Sequence, residues 1–325
     1  MKSTVPAAAV VHVLHGQTMG TTWSVRACAA ADADLHALHA GIQHVLDRIV
    51  AQMSTWEPGS HISRFNRSDA GQWLSVPPGF MAVLRGALAI AEASDGAFDP
   101  SVGALVGAWG FGAQAGPSSA PDSARQASAH GTVGWKRLRV DEDASRILQP
   151  GGVQLDFSAI AKGYGVDAVI EHLREGGLAA ALVEVGGELR GFGRKPDGEG
   201  WRVLMESSPD EEAAAGWEPR VLALDDLAVA TSGDRWHAYE AGGERYSHTI
   251  DPRNGRPVPH ASAAVTVVMR SAMEADAWAT AFTVLGHEQG LALAREHDFA
   301  VRYVIRTPDG LQEHSTPALD AMLLA

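Results

Sequence analysis

From residue 180 to residue 251 the sequence reads as strand after strand with no helix between them: AALVEV, ELRGFG, WRVLMES, DLAVATSG, RWHAYEA and ERYSHTID. Short apolar runs bounded by Gly, Asp and Ser are the signature of strands, and Gly242-Gly243 marks a hairpin between the last two. The N-terminal AVVHVLHGQTMGTTWSVRACAA gives two more strands meeting at Met19-Gly20, and AVRYVIRTPDGLQEHS gives a closing hairpin at Pro308-Gly310. Helical periodicity is confined to a few places. It runs through Leu35, Leu38, Ile42, Leu46 and Ile49, follows Pro77-Pro78 up to Gly96, and spans the segment closed by Gly176-Gly177. Two further helices are expected at residues 271–286 and near Gly290 to His297. Helices therefore do not alternate with strands. The fold class is α+β, largely antiparallel sheets flanked by helices, and not a doubly wound parallel sheet.

No linker-like stretch divides the chain, so one domain over residues 10–325 is expected, behind a disordered lead at 1–9. Residues 54–71 read as a polar loop. Residues 113–130, small and Pro/Ser-rich, read as a mobile surface loop. The net charge of −13 excludes a nucleic-acid surface, which needs clustered Lys and Arg. Phosphates handled by so acidic a chain must be neutralised locally. Cys28, the single cysteine, rules out an intramolecular disulfide and any cysteine-rich metal cluster. No apolar run reaches membrane-spanning length. The chain as written looks cytoplasmic; one whose export signal had been removed would read the same and be periplasmic.

Chemistry concentrates in three stretches. In SAMEADAWATAFTVLG, Ser271 and Glu274 form a capping box, and Met273, Ala277 and Val284 share one helical stripe. Thr280 falls inside that stripe and Asp276 on its edge, too deep to be a cap. A carboxylate and a hydroxyl four residues apart suit a hard cation such as Mg²⁺; an Asp paired with an arginine and a Thr bonding its own backbone is the other reading. In LDFSAIAKGYGVD a strand runs into a helix with Asp156 at the junction and Lys162 in the first turns, a phosphate site in the making. Gly163 and Gly165 imply a close approach to that backbone, by a ligand or by ordinary packing. The glycine spacing fits neither a Walker loop nor a dinucleotide fingerprint. In RYSHTIDPRNGRPV, His248 precedes a turn and is of a type to act as a base near neutral pH. Trp56, Phe98, Trp109 and Phe111 make either a slot for a flat ring or plain core.

Taken together, TMGTTWSV, MSTWEPGSHISRFN, GAFDPSVGALVGAWGFG, LDFSAIAKGYGVDAV, VEVGGELRGFG, ATSGDRW, RYSHTIDPRNGRPV and MEADAWATAFTVLG occur in an order that resembles the ApbE family of FAD:protein FMN transferases over nearly the whole chain. The resemblance implies a single ApbE-like domain related to the T-fold. It implies Mg²⁺ held by Asp276 and Thr280 with carbonyls of Ala159 and Ala279. FAD would be held by Met19, Ala97, Phe98, Asp99, Asp156, Lys162 and Ile250, with His248 as the base. Many members have tyrosine where this chain has Trp56; stacking on the flavin survives that change, and a phenol hydrogen bond does not. The implied reaction moves FMN from FAD to a Ser or Thr hydroxyl of an acceptor flavoprotein and releases AMP. The chain contains no D-x-x-[ST]-G-A-[ST] string of its own, so the acceptor is expected in trans. Two alternatives stand beside it: a Mg-dependent FAD pyrophosphatase, and a non-catalytic FAD-binding protein.

Overall fold

Met19 and Gly20 both take positive φ, 50° and 72°, the geometry of a tight turn whose twist matches that of the strands it joins. That turn aligns β1 (Ala9–Thr18) with β2 (Thr21–Ala30) along their full length. The computed structural model describes residues 9–113, 120–205, 212–213, 215–218, 220–233, 238–241, 244–259 and 262–323. Six further strands extend the sheet: β3 (Ala181–Val185), β4 (Glu188–Phe192), β5 (Leu227–Gly233), β6 (Ser262–Met269), β7 (Ala300–Thr307) and β8 (Gly310–Ser315). Each strand of the sheet lies beside its chain neighbour, β1 through β8, and every pair is antiparallel. This is the α+β architecture expected, without a single crossover.

Helices enter as excursions from that meander and all four long ones lie on one face. Helices α1 (Leu35–Met53), α2 (Pro78–Ala93) and α3 (Ala161–Glu175) fall between β2 and β3, and α4 (Ala272–Glu296) falls between β6 and β7. Helix α3 packs on β3 and β4, and α4 on β5, β6 and β7; α1 and α2 then pack on those two helices. Phe65, Phe80, Phe157, Phe282 and Tyr303 are fully buried in the core between. Each such side chain contributes about 1.5–3 kcal/mol through the area it removes from water. The opposite face is covered by a hairpin, Trp201–Met205 with Arg220–Leu224, whose Trp201, Leu222 and Leu224 pack on Leu182, Val229 and Val268.

The structure departs from the sequence reading in several places. The polar stretch 54–71 contains a short helix, His61–Asn66, started by the Ser60 hydroxyl accepting from the Ser63 amide. The stretch 113–130, expected as a loop, is helical at Ser123–His130 with Asp122 as its cap, and residues 114–119 lie outside the described residues. The lead at 1–9 lies outside them too, except Ala9, which opens β1. Gly242-Gly243 likewise lies outside, between strands Ala238–Ala241 and Glu244–Ser247 that do pair antiparallel. Gly286 breaks the helical run as its sequence implied, though at φ 74° and ψ 169° rather than in the usual left-handed cap, and a second helical stretch runs from it to Glu296, so α4 is two helices joined at a kink. Strand β6 is one the sequence does not announce: SAAVTVVM is buried on both faces up to Val268, so it shows no alternation.

Candidate active site

The N-termini of α3 and α4 meet over the start of β4, and a glycine lets them meet. A Cβ on Gly163 would lie 2.1 Å from the Ala272 carbonyl oxygen, so only glycine permits this approach. Ordinary helix packing is therefore what the glycine in KGYG serves. The approach is locked by Asp167 of α3, whose carboxylate accepts from the Ser271 hydroxyl (2.8 Å) and from the amides of Ala272 (3.1 Å) and Met273 (3.0 Å). Arg190 of β4 pairs with the same carboxylate at 2.7 Å. Ser271 in turn caps α4 as its sequence implied.

Within this junction sits a cluster of three charged side chains. Asp276, 5% exposed, accepts from the Gly163 amide through Oδ2 at 3.0 Å, and its Oδ1 lies 3.6 Å from Lys162 Nζ. Lys162 Nζ also donates to Glu188 Oε1 at 2.5 Å, and Glu188 is only 3% exposed. Asp276 thus has a lysine partner rather than an arginine. Burial works against the charge of Lys162, but Asp276 and Glu188 outweigh it and hold the ammonium above the usual lysine range. Burial pushes the Glu188 carboxyl up to about 8, with Lys162 drawing it down and Asp276 adding to the rise. Glu188 Oε2 has no hydrogen-bond partner among the described residues.

Thr280 lies one turn beyond Asp276, half-buried, and its hydroxyl makes no hydrogen bond among the described residues. Its neighbour Thr283 instead donates to the Ala279 carbonyl at 2.8 Å. Ala159 is half-buried just ahead of α3. Among the described residues no three His, Cys, Asp or Glu side chains gather as a metal site. A cation here would rely on one carboxylate, a hydroxyl and carbonyls, an all-oxygen set suited to Mg²⁺, and the unengaged Thr280 hydroxyl fits that use.

The remaining expected residues fall into three groups. Met19 and Asp156 lie along and just ahead of α3. Met19 reaches α3, its Cε 3.4 Å from where a Cβ on Gly165 would stand. Asp156 accepts from the Ser158 amide at 2.7 Å ahead of α3. Ala97, Phe98 and Asp99 form a loop docked beside it, the Asp156 amide donating to Pro100 O at 2.9 Å. Phe98 is buried in the main core. The Asp99 carboxylate is spent within its own surroundings, on the Ser101 amide and hydroxyl (2.8 and 2.6 Å) and the Trp135 amide (3.1 Å), and burial raises its pKa. His248 and Ile250 belong to a second, aromatic region. Ile250 packs with Leu105 and Trp109, and the His248 ring lies edge-on to Phe111 at 6.4 Å. The Tyr246 ring lies tilted against both Trp109 and Tyr239, each at 5.4 Å. Trp109 Nε1 donates to Gly255 O at 2.9 Å and pins the DPRNG turn. Trp56 stands apart, 67% exposed and without a ring neighbour among the described residues.

Helix α4 joins the two regions. Asp276 is in its second turn. Eight residues on, about 12 Å along the axis, Val284 packs with Ala97 and Val258. The Val258 amide donates to Thr249 O, next to His248. The sequence reading missed Glu188, Asp167 and Arg190. The first carried a signal, a glutamate directly after Gly186-Gly187 at a strand start; the other two looked like surface charges.

Comparison with known proteins places the chain and its fold among flavin transferases. The Pseudomonas stutzeri flavinyl transferase ApbE, in its apo form, superposes with a TM-score of 0.89 at 36% identity, covering 97% of each chain. The Vibrio cholerae flavin transferase ApbE superposes at 0.87 with 33% identity over 97% of this chain and 99% of that one. In sequence, a Vibrio cholerae FAD:protein FMN transferase is 34% identical over 311 residues, 95% of this chain and 92% of its own. The family model for ApbE matches residues 19–305. The chain belongs to the ApbE family.

Proposed function

We propose that the protein is a Mg-dependent FAD:protein FMN transferase, moving FMN from FAD to a Ser or Thr hydroxyl of a separate acceptor protein and releasing AMP. The observation that carries the reading is the buried lysine between two carboxylates where two helix N-termini converge, beside an unengaged threonine hydroxyl. Lys162 supplies a fixed positive charge and the N-terminal end of α3 the positive pole of its helix dipole, and together they oppose the charge of a pyrophosphate. Bound Mg²⁺, held by Asp276, Thr280 and the carbonyls of Ala159 and Ala279, supplies further neutralisation of the phosphate oxygens. His248 takes the proton of the acceptor hydroxyl. The hydroxyl oxygen bonds to the FMN-side phosphorus, the bond from that phosphorus to the bridging oxygen breaks, and AMP departs with the bridging oxygen. The positioning of the FAD is assigned to Met19, Ala97, Phe98, Asp99, Asp156 and Ile250.

One observation favours a second reading. Trp56, where many members of the family have tyrosine, has no phenol hydroxyl and is largely exposed, so it offers no hydrogen bond with which to orient an acceptor hydroxyl over water. In that reading the enzyme is a pyrophosphatase yielding FMN and AMP. The test is incubation with FAD, Mg²⁺ and a domain bearing D-x-x-[ST]-G-A-[ST], followed by flavin chromatography and intact mass of the domain. One FMN added and one AMP released, both blocked by EDTA, is expected. FMN and AMP with an unmodified acceptor select the pyrophosphatase, and unchanged bound FAD selects a binding protein.

A further inference from the structure

Lys162 is shared unequally. Its ammonium lies 2.5 Å from Glu188 and 3.6 Å from Asp276. Left alone with Asp276, a lysine on the same pair of helix ends would close that gap and become the counter-ion of the very carboxylate that a divalent cation needs. Glu188 prevents this from a rigid place. It opens β4 inside the sheet, 3% exposed, and Gly186 just before it stands against the lysine stem, where an added Cβ would lie 3.1 Å from Lys162 Cδ. The second carboxylate oxygen, Oε2, has no partner among the described residues and so offers the ammonium another acceptor on the side of the sheet.

We infer that Glu188 is a positioning residue: it draws the Lys162 ammonium back to a loose 3.6 Å ion pair with Asp276, so that the lysine does not close on the Asp276 carboxylate that a divalent cation needs, while keeping the lysine charge beside the phosphates. The inference rests on the cation reading of Asp276. Its mechanism is competition between two cations, one built into the chain and one taken from solution, for a single carboxylate.

Calorimetric titration of the FAD-free protein with Mg²⁺ alone, at about pH 9, on the alkaline side of the raised Glu188 pKa, tests it without reference to turnover. The proteins compared are the wild type, Glu188→Gln, Lys162→Met, the double variant and Asp276→Ala. In the wild-type background Glu188→Gln weakens Mg²⁺ binding about tenfold, because the released lysine moves onto Asp276; in the Lys162→Met background the same substitution has little effect, a coupling of the size neighbouring residues show. Equal weakening in both backgrounds means that Glu188 acts only through its own charge, and overturns the inference. No weakening in either also overturns it. If Asp276→Ala binds Mg²⁺ as the wild type does, the cation reading itself fails, a different result from either of these. Should Glu188→Gln not fold, Glu188→Asp, which shortens the tether by one methylene, is read by the same comparison.

Discussion

The two halves of the candidate site are built in opposite ways. The Lys162–Glu188–Asp276 cluster stands on the ends of regular elements, and each of its members is fixed by another charged group or a helix amide. The His248 region stands on an excursion from the sheet, between β5 and β6, and is held by ring contacts and by the turn that Trp109 pins. The difference matches the two tasks proposed for them. Charge neutralisation works best with groups that need no reorganisation as the reaction proceeds, whereas proton removal must accommodate an acceptor that arrives and leaves. The first half is a rigid electrostatic device, and the second is an adaptable one.

The largest effect that would break this contrast is on transfer itself. His248→Ala is expected to slow FMN transfer by about 10²–10⁴-fold, measured as acceptor mass gain over time at saturating FAD. Transfer at the wild-type rate would remove His248 from the reaction. Asp276→Ala is expected to lower the rate by about 10²–10³-fold and to abolish its dependence on Mg²⁺. A variant still stimulated by Mg²⁺ would move the cation elsewhere. Gly163→Ala forces the α3–α4 junction apart, costing about 1–3 kcal/mol of stability as an overpacked contact does, read by urea denaturation. Unchanged stability would mean that the junction yields, contrary to its rigid character. Trp109→Phe removes one buried hydrogen bond to the DPRNG turn, and about 1 kcal/mol is expected from the same measurement.

A pH measurement sharpens the same contrast. Glu188 has its folded pKa raised from 4.5 to about 8, chiefly by burial, so its contribution to stability is fully present below 4.5 and is lost as pH rises through 8. The Glu188→Gln variant lacks this titration. Between about pH 5 and pH 8.5 its stability should therefore improve relative to the wild type. A difference that stays constant over that window would show the carboxyl to be less confined than its burial indicates.

Much of the first half was legible because it violated local expectation. An aspartate and a threonine on an otherwise apolar stripe, and a lysine with glycines in a helix start, are conflicts that a sequence displays directly. Their mutual contacts were not legible. Glu188 lies 26 residues from Lys162, and Asp276 lies 113 from Gly163, so only the folding of the meander brings them together. Asp167 was hidden for a related reason: it caps a helix more than 100 residues away, and nothing in its own turn marks it. The antiparallel class was readable from strands without intervening helices. Strand β6, central and buried on both faces, was not, because complete burial erases the alternation that identifies a strand.

The division of labour between the two halves is tested most directly by FAD affinity, with flavin fluorescence titrated side by side into His248→Ala and Asp276→Ala in the presence of Mg²⁺. The account predicts that the first binds FAD as the wild type does and that the second binds it more weakly. Equal loss in both variants, or full retention in both, would contradict it.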